Sequence, residues 1–233
     1  MTAADPRWAV PPTEQPAIPV GDGRLFPVRR IWCVGRNYAD HAREMGHDPT
    51  REPPFFFAKP ADAIVPDGAT LSFPRATADL HHEVELALAI GRAGADWTVE
   101  QAEAAIFGYA LALDMTRRDL QAEAKKAARP WDIAKGFDRS CPIGAIRPVA
   151  EIGHVSRGAI RLEINGELRQ SGDLGDMIWS PAECVAALSR LVDLAAGDIL
   201  LTGTPAGIGP VRPGDTLHAS CEGLGTLTIR YLA

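Results

Sequence analysis

Residues 81–91 read HHEVELALAIG, and the alternation in this stretch decides how the chain folds. Successive side chains of a strand point to opposite faces. His81, Glu83, Glu85 and Ala87 therefore share one face, and His82, Val84, Leu86 and Leu88 share the other. Two strand positions rise by roughly 6.6 Å, so both carboxylates can converge on a single cation above the strand. The same pattern also suits a half-buried strand showing its polar face to water, and E-x-E alone does not separate the two.

Outward from this segment the chain reads as rich in strands. Residues 31–35 (IWCVG) suit a short buried strand, and 54–58 and 63–65 further short strands bracketed by prolines. Residues 199–201, 216–219 and 226–231 continue the pattern, separated by the turns PAGIGP and RPGD. Helices are fewer. Asn37 is placed to cap a helical turn that Gly46 ends, and Thr98 with Gln101 forms a capping box. Ser180, Pro181 and Glu183 form a stronger one, ahead of a helix carrying Val185, Leu188, Leu191 and Val192 that Gly197 closes. Strands in excess with two or three helices predict a β-dominated α+β fold. Residues 1–27 are proline-rich and aperiodic. They read as an extended arm, with organised structure from Arg30 and one catalytic domain over 28–233.

Composition narrows the function. Of the 233 residues, 46% are hydrophobic and 23% charged, as in ordinary globular chains. A formal charge of 24 − 30 = −6, with no lysine- or arginine-rich block, argues against nucleic acid and anionic membranes as partners. The longest apolar run, 104–113, stops at Asp114 at about half the ~20 residues that a spanning helix needs. The N-terminus lacks the pattern of a secretory signal, so a cytoplasmic place is expected. Cys33, Cys141, Cys184 and Cys221 show no C-x-x-C spacing and read as reduced packing residues.

Several residues could carry chemistry. Asp114 ends an apolar stretch and is the natural third ligand beside Glu83 and Glu85, although it could equally cap the helix that TRRDLQAEAKK suggests. Three carboxylates without matched Cys or His favour a hard ion, Mg²⁺ with Mn²⁺ as the alternative, over zinc. His41 and Glu44 stand at i and i+3 on one helical face, where a carboxylate would orient an imidazole as a general base; a surface contact of little consequence has the same spacing. Gly35 and Gly46 flank that segment and would let it move as a lid. Arg118, Gln121 and Lys135 add polar and cationic groups after Asp114, with Lys135 either electrostatic in role or merely snorkelling. The turn LTGTP, holding Thr204, has backbone N–H groups suited to a carboxylate, or is an ordinary turn.

The segments CVGRNYADHAREMG, FFFAKP, HHEVELALAIG, GYALALDMTRRDLQ, AKGFDRSCPIG, NGELRQ and LLTGTPAGIGPV together resemble the fumarylacetoacetate hydrolase family over about residues 30–231. Within it they are most similar to the bacterial fumarylpyruvate hydrolases and related acylpyruvases. The resemblance implies a mixed β-sandwich roll and a homodimer with Mg²⁺ or Mn²⁺ held by Glu83, Glu85 and Asp114. It further implies a water-activating pair His41–Glu44, Lys135 at the carboxylate or enolate end of the substrate, and Arg118, Gln121 and Thr204 around the same pocket. The expected reaction is cleavage of a 2-oxo acid, fumarylpyruvate to fumarate and pyruvate, a step suited to aromatic-acid catabolism through gentisate. Oxaloacetate decarboxylation, isomerisation of a 2-hydroxydienedioate and non-catalytic dicarboxylate binding stand as alternatives.

Overall fold

The computed structural model describes residues 8–44 and 52–233. Two sheets make up most of it. The first has six strands in the order Arg147–Pro148, Ile106–Leu113, Val84–Ile90, Asp198–Leu201, Arg30–Gly35 and Phe55–Lys59. Only the pairing of Asp198–Leu201 with Arg30–Gly35 is parallel. The second sheet has five, Glu167–Asp173, Ala159–Ile164, Thr216–Cys221, Gly225–Tyr231 and Thr70–Leu71. The chain is thus the expected β-dominated α+β protein with mixed sheets.

Val84–Ile90 is buried along its whole length, so both of its faces meet protein. Val84, Leu86, Leu88 and Ile90, with Tyr109, Leu111 and Leu113 of the neighbouring strand, enter the main core together with Ile160, Leu162, Leu217, Leu227 and Ile229 of the second sheet. The helix Pro181–Ser189 joins that core through Cys184, Val185 and Leu188. On the opposite face stand Ala87, Ala89, Ala110 and Ala112, covered by Ile18, Val20, Phe26 and Val28. Alternation therefore sorts side chains by size between two interiors rather than between core and water.

That second interior corrects the reading of residues 17–27 as part of an aperiodic arm. Ala17–Pro19 and Leu25–Pro27 pair antiparallel, and Ile18, Val20 and Phe26 are buried. Among the described residues organised structure begins at Ala17 rather than Arg30, because the alanine face needs large side chains from elsewhere to fill it. Prolines at the strand ends are compatible with a two-stranded ribbon at the edge.

Both capping boxes form, on Thr98 and on Ser180. The second helix ends at Ser189, and Gly197, at φ +98°, instead turns the chain into Asp198–Leu201. Asn37 does not cap the helix Ala39–Glu44. Its fully buried amide donates to the carbonyls of Trp179 and Thr202 and accepts from Trp179 N–H, tying three segments together. Gly46 lies outside the described residues. Gly35 admits the Phe55 ring, which a Cβ there would meet at 2.0 Å, so close packing explains it without a hinge.

At the rim of the first sheet the buried Asp198 receives Arg29 at 3.0 Å, Arg30 at 2.9 Å and the Ala195 N–H at 3.0 Å. Asp198→Ala removes the only acceptor these groups share among the described contacts, and should lower the unfolding free energy by about 3 kcal/mol in urea titrations.

Candidate active site

The three acidic residues meet because two strands run past their last regular pair. Val84 pairs with Leu113, and the ladder continues with Asp114 N–H donating to the Glu83 carbonyl at 2.8 Å. Glu83, Glu85 and Asp114 thus emerge on the alanine face, where small neighbours leave room. Carboxylate oxygens from all three lie within 4.8 Å of one another. Their exposures of 5%, 1% and 0% exclude the solvated-strand reading, and Asp114 caps no helix.

Three cations are built in against them. Lys135 Nζ lies 2.7 Å from both Glu83 Oε2 and Asp114 Oδ2. Lys59 Nζ lies 2.8 Å from Asp114 Oδ1, and Arg118 ion-pairs with Glu83 Oε1. Arg118 also donates to Gln121 Oε1 at 2.5 Å. Lys135 is therefore locked in a buried ion-pair network and does not snorkel. Burial favours its neutral form, but the Asp114 and Glu83 carboxylates outweigh that and raise its pKa.

Glu83 and Glu85 respond in opposite directions. Burial works to raise Glu83, yet the Lys135 and Arg118 cations hold it well below the usual carboxylate range. Burial, with the Asp114 and Glu83 charges added, pushes Glu85 well above that range. Among the described residues Glu85 Oε2 accepts only the Gly203 N–H, at 2.7 Å. Asp114 Oδ1 completes no hydrogen bond, the Lys59 ammonium approaching out of line. Converging like charges and an acceptor lone pair left over are what a hard divalent cation would satisfy, so the donor set fits Mg²⁺ or Mn²⁺.

The remaining residues line one cleft with Glu83 and Glu85: His41, Arg118, Gln121, Lys135 and Thr204. His41 is buried, with Nδ1 3.2 Å from Glu44 Oε2. Glu44 in turn accepts the Gly207 N–H, 3.1 Å from Oε1. Gly207 has φ +95°, and a Cβ there would meet the Arg169 carbonyl at 2.3 Å, so glycine is required at this clamp. The His41–Glu44 contact is thus anchored to a second segment. The LTGTP turn does hold a carboxylate, but it is the protein's own Glu85.

Some parts of the site lay beyond the sequence reading. Lys59 sits in an apolar run, FFFAK, the same anomaly that marked Lys135, and could have been found by it. Gln170 entered the sequence reading only as the last residue of NGELRQ, with no role assigned. It is fully buried; Oε1 accepts from Val84 N–H at 3.0 Å and Nε2 donates to Thr204 Oγ1 at 2.8 Å, joining the acidic strand to the turn.

Glu85→Gln keeps the shape and the Gly203 hydrogen bond while removing one of three repelling carboxylates. The metal-free variant should be at least as stable as the parent in urea, whereas calorimetric Mn²⁺ affinity should fall by about 100-fold or more.

The comparisons with known proteins follow the same lines. Residues 30–231 match the family model for the fumarylacetoacetate (FAA) hydrolase C-terminal domain. The chain is 43% identical over 208 residues to oxaloacetate tautomerase YcgM of Escherichia coli, covering 89% of this chain and 94% of that one. It is 42% identical over 211 residues to the human mitochondrial oxaloacetate tautomerase FAHD1, covering 88% and 95%. Among solved structures, a fumarylpyruvate hydrolase from Pseudomonas aeruginosa in complex with Mn²⁺ and pyruvate superposes with a TM-score of 0.94 at 49% identity, over 97% of this chain and 99% of that one. With the family model spanning both sheets and all the residues that line the cleft, the chain belongs to the fumarylacetoacetate hydrolase family.

Proposed function

We propose that this chain is a divalent-metal-dependent hydrolase of 3-acylpyruvates, converting fumarylpyruvate to fumarate and pyruvate. The observation that carries the reading is an oriented base, His41 on Glu44, facing the same cleft as the three converging carboxylates. The 49% identity to a fumarylpyruvate hydrolase that binds pyruvate supports it.

Glu83, Glu85 and Asp114 would hold the ion, which when bound supplies Lewis-acid polarisation of the 2-oxo acid end. With Nδ1–H donating to Glu44, His41 keeps its Nε2 lone pair and takes a proton from water. The water oxygen attacks the acyl carbonyl carbon, and the bond from that carbon to the pyruvate methylene breaks. The electron pair passes into the pyruvate half as its enolate, where Lys135, kept charged by its carboxylate partners, faces the developing negative charge. The proton on His41 returns to the methylene carbon, so that one water is consumed and two acids leave. Arg118 and Gln121, joined to each other, orient the acid in the cleft.

A second reading is favoured by the two oxaloacetate tautomerases, at 42% and 43% identity. There the same base would move a proton between the methylene carbon and the 2-oxygen of oxaloacetate, with no attack by water.

Absorbance assays on metal-stripped protein, before and after Mg²⁺ or Mn²⁺, distinguish them. Restored cleavage should be led by fumarylpyruvate, ahead of acetylpyruvate and oxaloacetate; interconversion of oxaloacetate tautomers with fumarylpyruvate left intact refutes the hydrolase. His41→Asn should lower hydrolysis by about 10³-fold with Mn²⁺ affinity retained.

A further inference from the structure

The charges of the cleft do not balance at its outer end. Glu83 and Asp114 are ion-paired with a set of three cations, Lys59, Lys135 and Arg118, and Glu85 lies beside them with the Gly203 N–H as its hydrogen-bond donor. Two further cations line the same cleft, Arg36 and Lys125, and among the described residues neither has a carboxylate partner. A divalent ion on the triad would add to this excess. The local field is therefore positive in a protein whose net charge is −6.

Aromatic rings hold these two side chains in place. The Arg36 guanidinium lies 5.1 Å from the Phe55 ring centre, and the Lys125 ammonium 5.2 Å from that of Trp131. Trp131 meets Phe55 and Phe57 edge-on at 5.6 and 5.9 Å, and Lys135 stands over Phe57 at 5.0 Å. One aromatic wall thus runs from the buried Lys135 at the triad to the cations at the mouth. A flat, conjugated acyl chain suits such a wall. Arg36 adopts φ +59°, a conformation uncommon outside glycine, immediately after the strand Arg30–Gly35. Lost solvation first, then the like charges of Arg118 and Arg36, lowers the Lys125 pKa, and an arriving carboxylate would relieve that repulsion.

We propose that Arg36 and Lys125 form a distal carboxylate subsite, making the enzyme selective for acylpyruvates that carry a second carboxylate at the far end of the acyl chain. The proposal rests on the hydrolase reading for its substrate and on the unpaired cations for its location.

The test is the ratio of kcat/KM for fumarylpyruvate to that for acetylpyruvate, which lacks the distal carboxylate. Arg36→Gln with Lys125→Gln should lower this ratio by at least about tenfold, chiefly through KM for fumarylpyruvate. The charge-conserving pair Arg36→Lys with Lys125→Arg should hold it within about threefold of the parent. An unchanged ratio in the Gln pair overturns the subsite. If the parent enzyme cleaves neither acid, the hydrolase reading fails and binding decides the subsite separately. Fumarate should then quench Trp131 fluorescence at concentrations at least about tenfold lower than crotonate, its monocarboxylate counterpart, and the Gln pair should abolish that preference. Equal binding of the two acids by the parent overturns it.

Discussion

Everything around the cleft depends on keeping three carboxylates out of water within 4.8 Å of one another. Such a cluster is intrinsically repulsive, and burial makes each charge harder to sustain. The fold answers with three cations from separate places: Lys59 at the end of an edge strand, Arg118 at the start of the helix Arg118–Lys126, and Lys135 at the end of the helix Asp132–Lys135. The compensation is uneven. Glu83 is surrounded by positive charge and stays ionised, while Glu85 receives one backbone N–H and carries the strain of its neighbours. That asymmetry leaves the cluster ready for one more cation.

Supporting the cluster is a set of buried amides rather than further charges. Gln170 reaches from the second sheet to the Val84 N–H, the Thr204 hydroxyl and the Pro205 carbonyl. Asn37 does the same between the strand Arg30–Gly35, the segment before the helix Pro181–Ser189 and the turn after Leu201. Neutral groups with several hydrogen bonds fix geometry without disturbing the charge balance next to them. Glu44 closes the arrangement by linking His41 to Gly207, so the base is registered against the turn beside the acidic strand.

The relatives illustrate how one such scaffold hosts related reactions. A fumarylpyruvate hydrolase and oxaloacetate tautomerases share it at 42–49% identity with this chain. Both substrates have a 2-oxo acid end, and they differ in what lies beyond it. Differences in specificity should therefore be sought along the aromatic wall and at the mouth of the cleft, away from the carboxylates.

Much of this was legible in the linear chain because it depends on local periodicity. HHEVELALAIG placed Glu83 and Glu85 on one strand face, the two capping boxes marked helix starts, and the halt of an apolar run at Asp114 singled that residue out. Lysines set in apolar surroundings were readable for the same reason, as violations of a pattern. What tertiary structure alone decided is which faces are buried and by what. The alanine face looked like a surface until Ile18 and Phe26 of the proline-rich segment covered it, and Asn37 looked like a cap until its partners arrived from residues 142 and 165 positions away. Gln170 stood in the segment NGELRQ with nothing local to mark its role. Burial and long-range hydrogen bonds are properties of pairs of distant segments, and a periodicity within one segment carries no information about its partner.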